Sequence, residues 1–476
     1  MTENSKELEF SKELKFQTTP IPGLLIGDLT VFGDSRGWFK ENYQKSKMEE
    51  LELGLPEFEP VQNNISFNAE KGVTRGIHAE PWDKFISVGS GRVFGAWVDL
   101  REGDSFGAVF TAEIDPTKAI YVPRGVGNAF QALEDNTVYS YLVNDHWSPE
   151  TKYTLLNLAD ETVGINWPIP LDQAEISNKD KNHPRLSEVI PMEPKRTLIT
   201  GSNGQLGRAL KVEFPDAEFT DYYELDITSP DIDSARPWRQ YDTIINAAGY
   251  TGVDKAETPE GREAAWRINA SAVANLGRIA AKYSITLVHV SSDYVFDGTK
   301  TNHTEDESFS PLGVYAQTKA AGDIAAAMVP KHYITRTSWV IGEGKNFVRT
   351  MKSLAEQGVR PPVVNDQIGR LTFTDDLARG IKHLVSTKAP YGTYNLTGDG
   401  EPASWSEMAA DVYEQTGHSR DDVTGVTTEQ YYTGKQDISP RPLQSTLNLD
   451  KIKSTGFTPA DWRQSLKEYL AKEEIK

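Results

Sequence analysis

Arg196-Thr197-Leu198-Ile199-Thr200-Gly201-Ser202-Asn203-Gly204-Gln205-Leu206-Gly207 decides the fold of the longer part of this 476-residue chain. Its first five residues read as a buried strand, and three glycines at intervals of three follow at once. A strand that turns on glycines into a helix opens a βαβ unit. Glycines let the backbone approach a pyrophosphate, which then sits at the positive end of the helix. A plain turn uses the same residues, so the context has to decide.

The context is repeated alternation of strand and helix. Asp242-Thr243-Ile244-Ile245-Asn246 and Thr286-Leu287-Val288-His289-Val290 read as two more buried strands. Alanine-rich helical stretches, 264–282 and 315–328, lie around them, which is the pattern of a doubly wound parallel sheet. Asp221 follows the next strand, where an acid commonly binds the adenosine ribose; the competing reading is a surface turn. As a ribose ligand it would repel a 2′-phosphate and favour NADH over NADPH.

Upstream the pattern is different. Lys84-Phe85-Ile86-Ser87-Val88, 92–99, 119–122 and 137–143 read as short strands separated by turns such as Gly89-Ser90-Gly91 and Pro123-Arg124-Gly125. Many short strands at such spacing predict an all-β sandwich or barrel. Ile190-Pro191-Met192-Glu193-Pro194-Lys195 reads as the linker, and residues 1 to about 16 as a charged, disordered tail. The expected domains are 17–188 and 195–476.

Net charge is −19, which argues against a general nucleic-acid or anionic-membrane binder. A few local arginines still suffice for a diphosphate. The absence of cysteine removes disulfides, thiolate nucleophiles and cysteine metal sites. The first residues, MTENSKELEFSKELKF, lack the apolar core of a signal peptide, and no apolar run reaches the ~20 residues of a membrane span. A cytoplasmic protein without membrane or nucleic-acid partners is expected.

Two sets of residues carry chemistry. Tyr315 and Lys319 stand four apart on a predicted helix and share a face. A neighbouring ammonium is expected to bring down a tyrosine pKa of about 10. Lys319 can also hold a nicotinamide ribose, while Ser292, at a strand end, hydrogen-bonds a substrate carbonyl. This set suits hydride transfer to a ketone. In the first domain, Arg75-Gly76-Ile77-His78 with Lys84 suits proton abstraction beside a carbonyl, because a fixed donor can meet the enolate charge. A ketone is the group that both chemistries need. The bland alternatives are a solvated helix face and a core histidine.

Asn246-Ala247-Ala248-Gly249-Tyr250-Thr251, Val253-Asp254-Lys255-Ala256-Glu257, Ser291-Ser292-Asp293-Tyr294-Val295-Phe296-Asp297-Gly298, Arg336-Thr337-Ser338-Trp339 and Arg441-Pro442 with Ser445 resemble dTDP-4-dehydrorhamnose reductase, an extended short-chain dehydrogenase/reductase. The resemblance implies a Rossmann-type fold with Ser292, Tyr315 and Lys319 as catalytic triad. It implies Gly201, Asn203, Gly204, Gln205, Leu206, Asp221, Asp226, Ala247, Ala248, Tyr250, Tyr315 and Lys319 at the dinucleotide. Ser292, Asp293, Trp339 and Arg441 are implied at the sugar nucleotide. Some members place a glutamate two residues after the third glycine for a magnesium-bridged dimer; Ala209 stands there, so that dimer is not expected.

Asp34-Ser35-Arg36-Gly37-Trp38-Phe39-Lys40-Glu41, Arg75-Gly76-Ile77-His78, Val98-Asp99-Leu100-Arg101 and Trp147-Ser148-Pro149-Glu150 resemble dTDP-4-dehydrorhamnose 3,5-epimerase, a cupin-type barrel. The resemblance implies His78 as base, oriented by Asp180, with Lys84 at the enolate oxygen and Tyr141 returning protons. Arg36 and Arg75 are implied at the diphosphate, Trp147 at the thymine, and Glu41 and Gln62 elsewhere on the substrate. Two positions depart from the family pattern: Asn128 replaces a histidine, and Gly95 stands where aspartate is common. A slow barrel, or one that performs a single epimerisation, would follow. The histidines are scattered in sequence, and no metal site is expected.

The combined reading is a bifunctional enzyme. The barrel epimerises dTDP-4-dehydro-6-deoxy-D-glucose at C3 and C5, and the second domain reduces C4 with NADH or NADPH, NADH being favoured. A homodimer through the N-terminal domain is expected by analogy. The rivals are a non-catalytic sugar-binding cupin joined to a dinucleotide-binding regulatory subunit, and the same chemistry on another dTDP-6-deoxy sugar.

Overall fold

Strands Lys84–Ser90, Val93–Asp99 and Val126–Ala132 are mostly buried, Thr137–Val143 is half-buried, and each of the four pairs on both edges. In the computed structural model, which describes residues 13–51, 58–149 and 151–475, they centre two sheets. One sheet has the order Lys15–Thr18, Leu25–Asp28, Lys118–Val122, Lys84–Ser90, Thr137–Val143, Gln62–Asn68. The other runs Thr154–Leu155, Val73–Ala79, Val126–Ala132, Val93–Asp99, Val109–Ile114, with Glu175–Ile176 added in parallel to Val73–Ala79. All other pairs in these two sheets are antiparallel.

Successive residues of a strand face opposite sides, and this places the site. Ile86, Val88, Phe130 and Tyr139 face the space between the sheets with Trp97 and Val126. Ile77, Val98 and Ala129 face outward and are covered by Leu156, Leu158 and Leu186. His78, Lys84, Asn128 and Tyr141 therefore belong to the inner register. This is the all-β cupin-type barrel expected. The tail is shorter than expected, because Lys15–Thr18 is an edge strand with Phe16 buried beside Leu25 and Phe85. Charged neighbours hid its single apolar anchor. The earlier part of that tail lies outside the described residues, as does Glu150 of the Trp147–Glu150 motif.

The second unit holds a parallel sheet with the order Glu218–Thr220, Arg196–Thr200, Tyr241–Asn246, Thr286–Ser292, His332–Thr337, Gly392–Asn395. Ile199, Ile245, Val288 and Tyr333 pack on one face against Leu206, Leu210, Leu377 and Ile381. Their neighbours Leu198, Ile244, Leu287 and Ile334 pack on the other face against Val273, Leu276 and Ile279. Near-continuous apolar strands are what helices on both faces require. Chain order reverses between Arg196–Thr200 and Tyr241–Asn246, and ligands of such sheets bind at the strand ends there. A further core joins Val348, Met351, Phe373, Met408, Val412 and Trp462.

Contacts divide the chain into Met1–Pro194 and Lys195–Lys476. No described helix is long and apolar enough to cross a membrane.

Candidate active sites

In the barrel, the short helix Asn178–Lys181 presents Asp180 to His78. Ser177 caps that helix by accepting the Asp180 N–H at 3.1 Å. Asp180 Oδ1 lies 3.0 Å from His78 Nε2, and Oδ2 accepts the Gly76 N–H at 3.3 Å. The carboxylate fixes the ring and leaves His78 Nδ1 as the nitrogen able to take a proton. Burial raises the Asp180 pKa but is outweighed by the hydrogen bonds and charge from His78 and the Gly76 N–H, so the group stays below its ordinary range.

Lys84 is 4% exposed, ion-paired to the buried Glu80, and lies 5.3 Å from the centre of the Tyr141 ring. Burial pulls its ammonium down to about 7. Burial raises the Tyr141 phenol, and Arg75 opposes this. Arg75 itself donates to Asn68 Oδ1 at 3.1 Å.

The two departures have local explanations. The Trp97 ring fills the place of any Cβ on Gly95, so an aspartate cannot stand there without moving it. Asn128 pairs with His78 in register and accepts the Tyr139 hydroxyl at 3.1 Å.

The outer ligands are less assembled. Arg36 is 88% exposed and held by Asp34 on the hairpin Val31–Asp34/Gly37–Lys40, and Glu41 is ion-paired with Lys47 at 2.7 Å. Among the described residues both are paired with near neighbours in sequence. The Trp147 side chain is exposed, but the residue's backbone N–H donates to Gln62 Oε1 at 3.3 Å, which brings those two expected ligands together. The expectation that the histidines lie scattered fails at one point: His183 packs against His78 with ring centres 5.3 Å apart.

In the second unit, Gly201 has a left-handed φ of 70°, and a Cβ there would stand 2.6 Å from the Ala248 nitrogen. A Cβ on Gly207 would run into the Gly201 carbonyl and Ser202. The loop is thus closed as tightly as a pyrophosphate site needs. Gly204 caps the helix Gln205–Glu213, while the Leu206 side chain is buried in the core, so only its backbone faces the loop. Asp221 Oδ2 accepts the Asn203 N–H at 2.9 Å, and Oδ1 accepts the Tyr222 N–H at 2.8 Å. Its carboxylate therefore belongs to the glycine loop. Arg208, the nearest cation along the following helix, bonds the Asn203 and Glu343 carbonyls. Asp226 closes its own turn onto Thr228, and Ala247 and Ala248 end the strand Tyr241–Asn246 against Gly201.

Tyr315 and Lys319 share a face of the buried helix Val314–Ala327. Burial, then the Asp293 charge, pushes the Tyr315 phenol up to about 12, against a hydrogen bond from Ser292. This differs from the expectation that Lys319 would lower it. The Lys319 ammonium instead donates to the Val290 carbonyl at 2.7 Å, and burial lowers it to about 8 while Asp323 opposes. Ser292 donates to Asp293 at 2.9 Å, and burial raises the Asp293 carboxyl to about 6.

Trp339 has a left-handed φ of 48° and stacks on Trp405 at 3.8 Å, with Gly369 behind its ring. Trp405, Tyr294, Tyr432, Lys435 and Arg441 line a cavity of about 660 Å³. Arg441 also donates to Asp254 at 2.6 Å.

Sequence reading missed four residues: Glu80, His183, Trp405 and Asn269. Asn269 sits in a π-helical turn, accepts the Tyr250 N–H at 2.8 Å and donates to Thr318 beside Tyr315. Only Glu80, four residues before Lys84, carried a local charge signal.

Both units have counterparts among known proteins. Residues 18–188 match the family model for dTDP-4-dehydrorhamnose 3,5-epimerase, and residues 195–475 match that for the RmlD substrate binding domain. A protein named RmlC homolog from Streptococcus pyogenes serotype M6 is 56% identical over 182 residues, 37% of this chain and 90% of that protein. A dTDP-4-dehydrorhamnose reductase from Aggregatibacter actinomycetemcomitans is 38% identical across 58% of this chain and 98% of its own length. The structure of a Bacillus anthracis dTDP-4-dehydrorhamnose reductase in complex with NADP covers 59% of this chain and 99% of that one, with 30% identity and a TM-score of 0.52.

Proposed function

The chain belongs to the dTDP-4-dehydrorhamnose 3,5-epimerase family through residues 18–188 and to the RmlD substrate-binding-domain family through 195–475, and from that premise we propose that it converts dTDP-4-dehydro-6-deoxy-D-glucose to dTDP-L-rhamnose. The reading is supported by one side-chain set in each unit: His78–Asp180 at 3.0 Å beside Lys84 and Tyr141, and Ser292 ending a strand of the parallel sheet with Tyr315 and Lys319 on one helix.

In the barrel, His78 Nδ1 takes the proton from C3, and later from C5, of the ketosugar. Asp180 stabilises the imidazolium through Nε2–H. The Lys84 ammonium meets the enolate charge on the C4 oxygen, and Tyr141 returns a proton from the opposite face. Arg36, Glu41, Gln62, Arg75 and Trp147 bind the dTDP part in this reading. Arg75 is supported by its influence on Tyr141, and Trp147 by its bond to Gln62.

The reductase uses NAD(P)H, whose nicotinamide supplies the hydride to C4 when bound. Tyr315 gives its phenol proton to the forming alkoxide, Ser292 hydrogen-bonds that oxygen, and Lys319 holds the nicotinamide ribose. Asp293, Trp339 and Arg441 hold the sugar nucleotide. The glycine loop, Asp226, Ala247, Ala248 and Tyr250 form the dinucleotide cleft. NADH is the preferred form, supported by the Asp221 carboxylate at the glycine loop and by the absence of arginine from 219–223.

A cytoplasmic homodimer joined through the barrel belongs to the same reading, supported by exposed Ile65 and Phe67 on the edge strand Gln62–Asn68. Sedimentation at the mass of one chain would remove the dimer. The function itself is tested by incubating the purified chain with dTDP-4-dehydro-6-deoxyglucose and NADH or NADPH and identifying the sugar by NMR. The L-rhamno product is expected. A reduced sugar that keeps the D configuration at C5 contradicts the proposal.

A further inference from the structure

His183 lies behind the His78–Asp180 pair with 3% of its side chain exposed; its ring nitrogens face the Leu156 backbone and the Asp180 carboxylate without a hydrogen bond of full geometry. A buried imidazole held this loosely has donor and acceptor capacity left for a further partner. Its Nε2 stands 3.6 Å from Asp180 Oδ1, and His78 Nε2 stands 3.0 Å from the same oxygen. The ligand atoms of His78, Asp180 and His183 all fall within 4.8 Å of one another. A tetrahedral zinc ion with bonds of about 2.0–2.1 Å sets its donors about 3.4 Å apart. The two measured separations lie on either side of that value.

We infer that His78, Asp180 and His183 form a binding site for a divalent transition-metal ion of the zinc class. Two imidazoles and one carboxylate suit zinc rather than magnesium or calcium, which take oxygen ligands. His78 is the partly exposed member, at 29% of its side chain, so the fourth position opens on its side to water.

The consequence rests on the proposed role of His78 as base. As base, His78 keeps its proton on Nε2, facing Asp180, and its lone pair on Nδ1. A metal on Nε2 needs the lone pair there and confines the proton to Nδ1. The base nitrogen then has nothing with which to accept a substrate proton. Metal binding thus switches the epimerase off, with no metal required in any step of the reaction. The reductase set lies in the other unit and shares none of these ligands.

The test titrates the full-length chain with Co²⁺, read by the visible bands of four-coordinate cobalt, in wild type, His183→Ala and His183→Gln. One ion is expected on wild type. Both variants should bind at least ~100-fold more weakly, since even outer partners of a metal site are worth 10–100-fold. Zn²⁺ should stop solvent-deuterium entry into the ketosugar in wild type, with each variant resisting relative to its own metal-free rate. Cofactor oxidation on an epimerised ketosugar should be unchanged by the same Zn²⁺. Equal cobalt binding by wild type and both variants, or none by wild type, overturns the site. Binding that depends on His183 but leaves deuterium entry unchanged supports the metal site and overturns His78 as base.

Discussion

Tyr315 and Lys319 stand one helical turn apart, and burial drives their proton affinities in opposite directions, up to about 12 and down to about 8. The proposed reduction needs the phenol protonated and the ammonium charged. Below about pH 8 both hold; above it the ammonium is lost first. Reductase kcat/KM should therefore fall as pH rises through about 8. Asp323 opposes the loss, so Asp323→Asn should move the falling limb to lower pH; a limb at unchanged pH would remove Asp323 from this role. Asp221 supports a second expectation. Wild type should prefer NADH, and Asp221→Ala should narrow or reverse the ratio of kcat/KM values by removing both ribose bonds and repulsion of a 2′-phosphate. Equal use of the two cofactors, unchanged in the variant, would return Asp221 to a turn role. At this scale the sequence was readable where spacing is local, as in Tyr315-x-x-x-Lys319. His78 and Asp180, 102 residues apart, were joined only by family resemblance. Asn269 had no local signal, because Tyr250 and Thr318 are brought to it by the fold, whereas His183 stands three residues after Asp180 and was passed over beside it.

The element that opened the reading, the strand–glycine turn–helix at Arg196–Glu213, is also where a small change should have the largest effect. A methyl on Gly207 has to displace the Gly201 carbonyl or the first helical turn. Overpacking of this kind costs about 1–3 kcal/mol, so Gly207→Ala should weaken NADH binding roughly 10-fold or more in a fluorescence titration. Deuterium entry at the ketosugar should stay at the wild-type rate. Undiminished NADH binding would show that the loop does not hold the pyrophosphate. The main strands of both units were legible from apolar runs and glycine turns. Lys15–Thr18 was not, because Phe16 is its only buried residue. Trp339 was placed at the sugar by resemblance, yet its stacking on Trp405 depends on a helix start 66 residues away that carries no matching pattern.

The whole molecule places two chemistries that share a ketone on one chain, in units bounded at Pro194 and Lys195. A tether raises the concentration of one site near the other without any new contact between them. The two sites divide the work between them, and Tyr315→Phe separates their contributions. The variant lacks the proton donor for the C4 alkoxide and leaves the barrel as it is. It is incubated with dTDP-4-dehydro-6-deoxyglucose in D₂O with NADH or NADPH, while NMR follows C3 and C5 and absorbance follows the cofactor. Deuterium should enter C3 or C5 at the wild-type rate, while cofactor oxidation falls by roughly 10²-fold or more. Loss of both activities, or survival of both, would contradict the division.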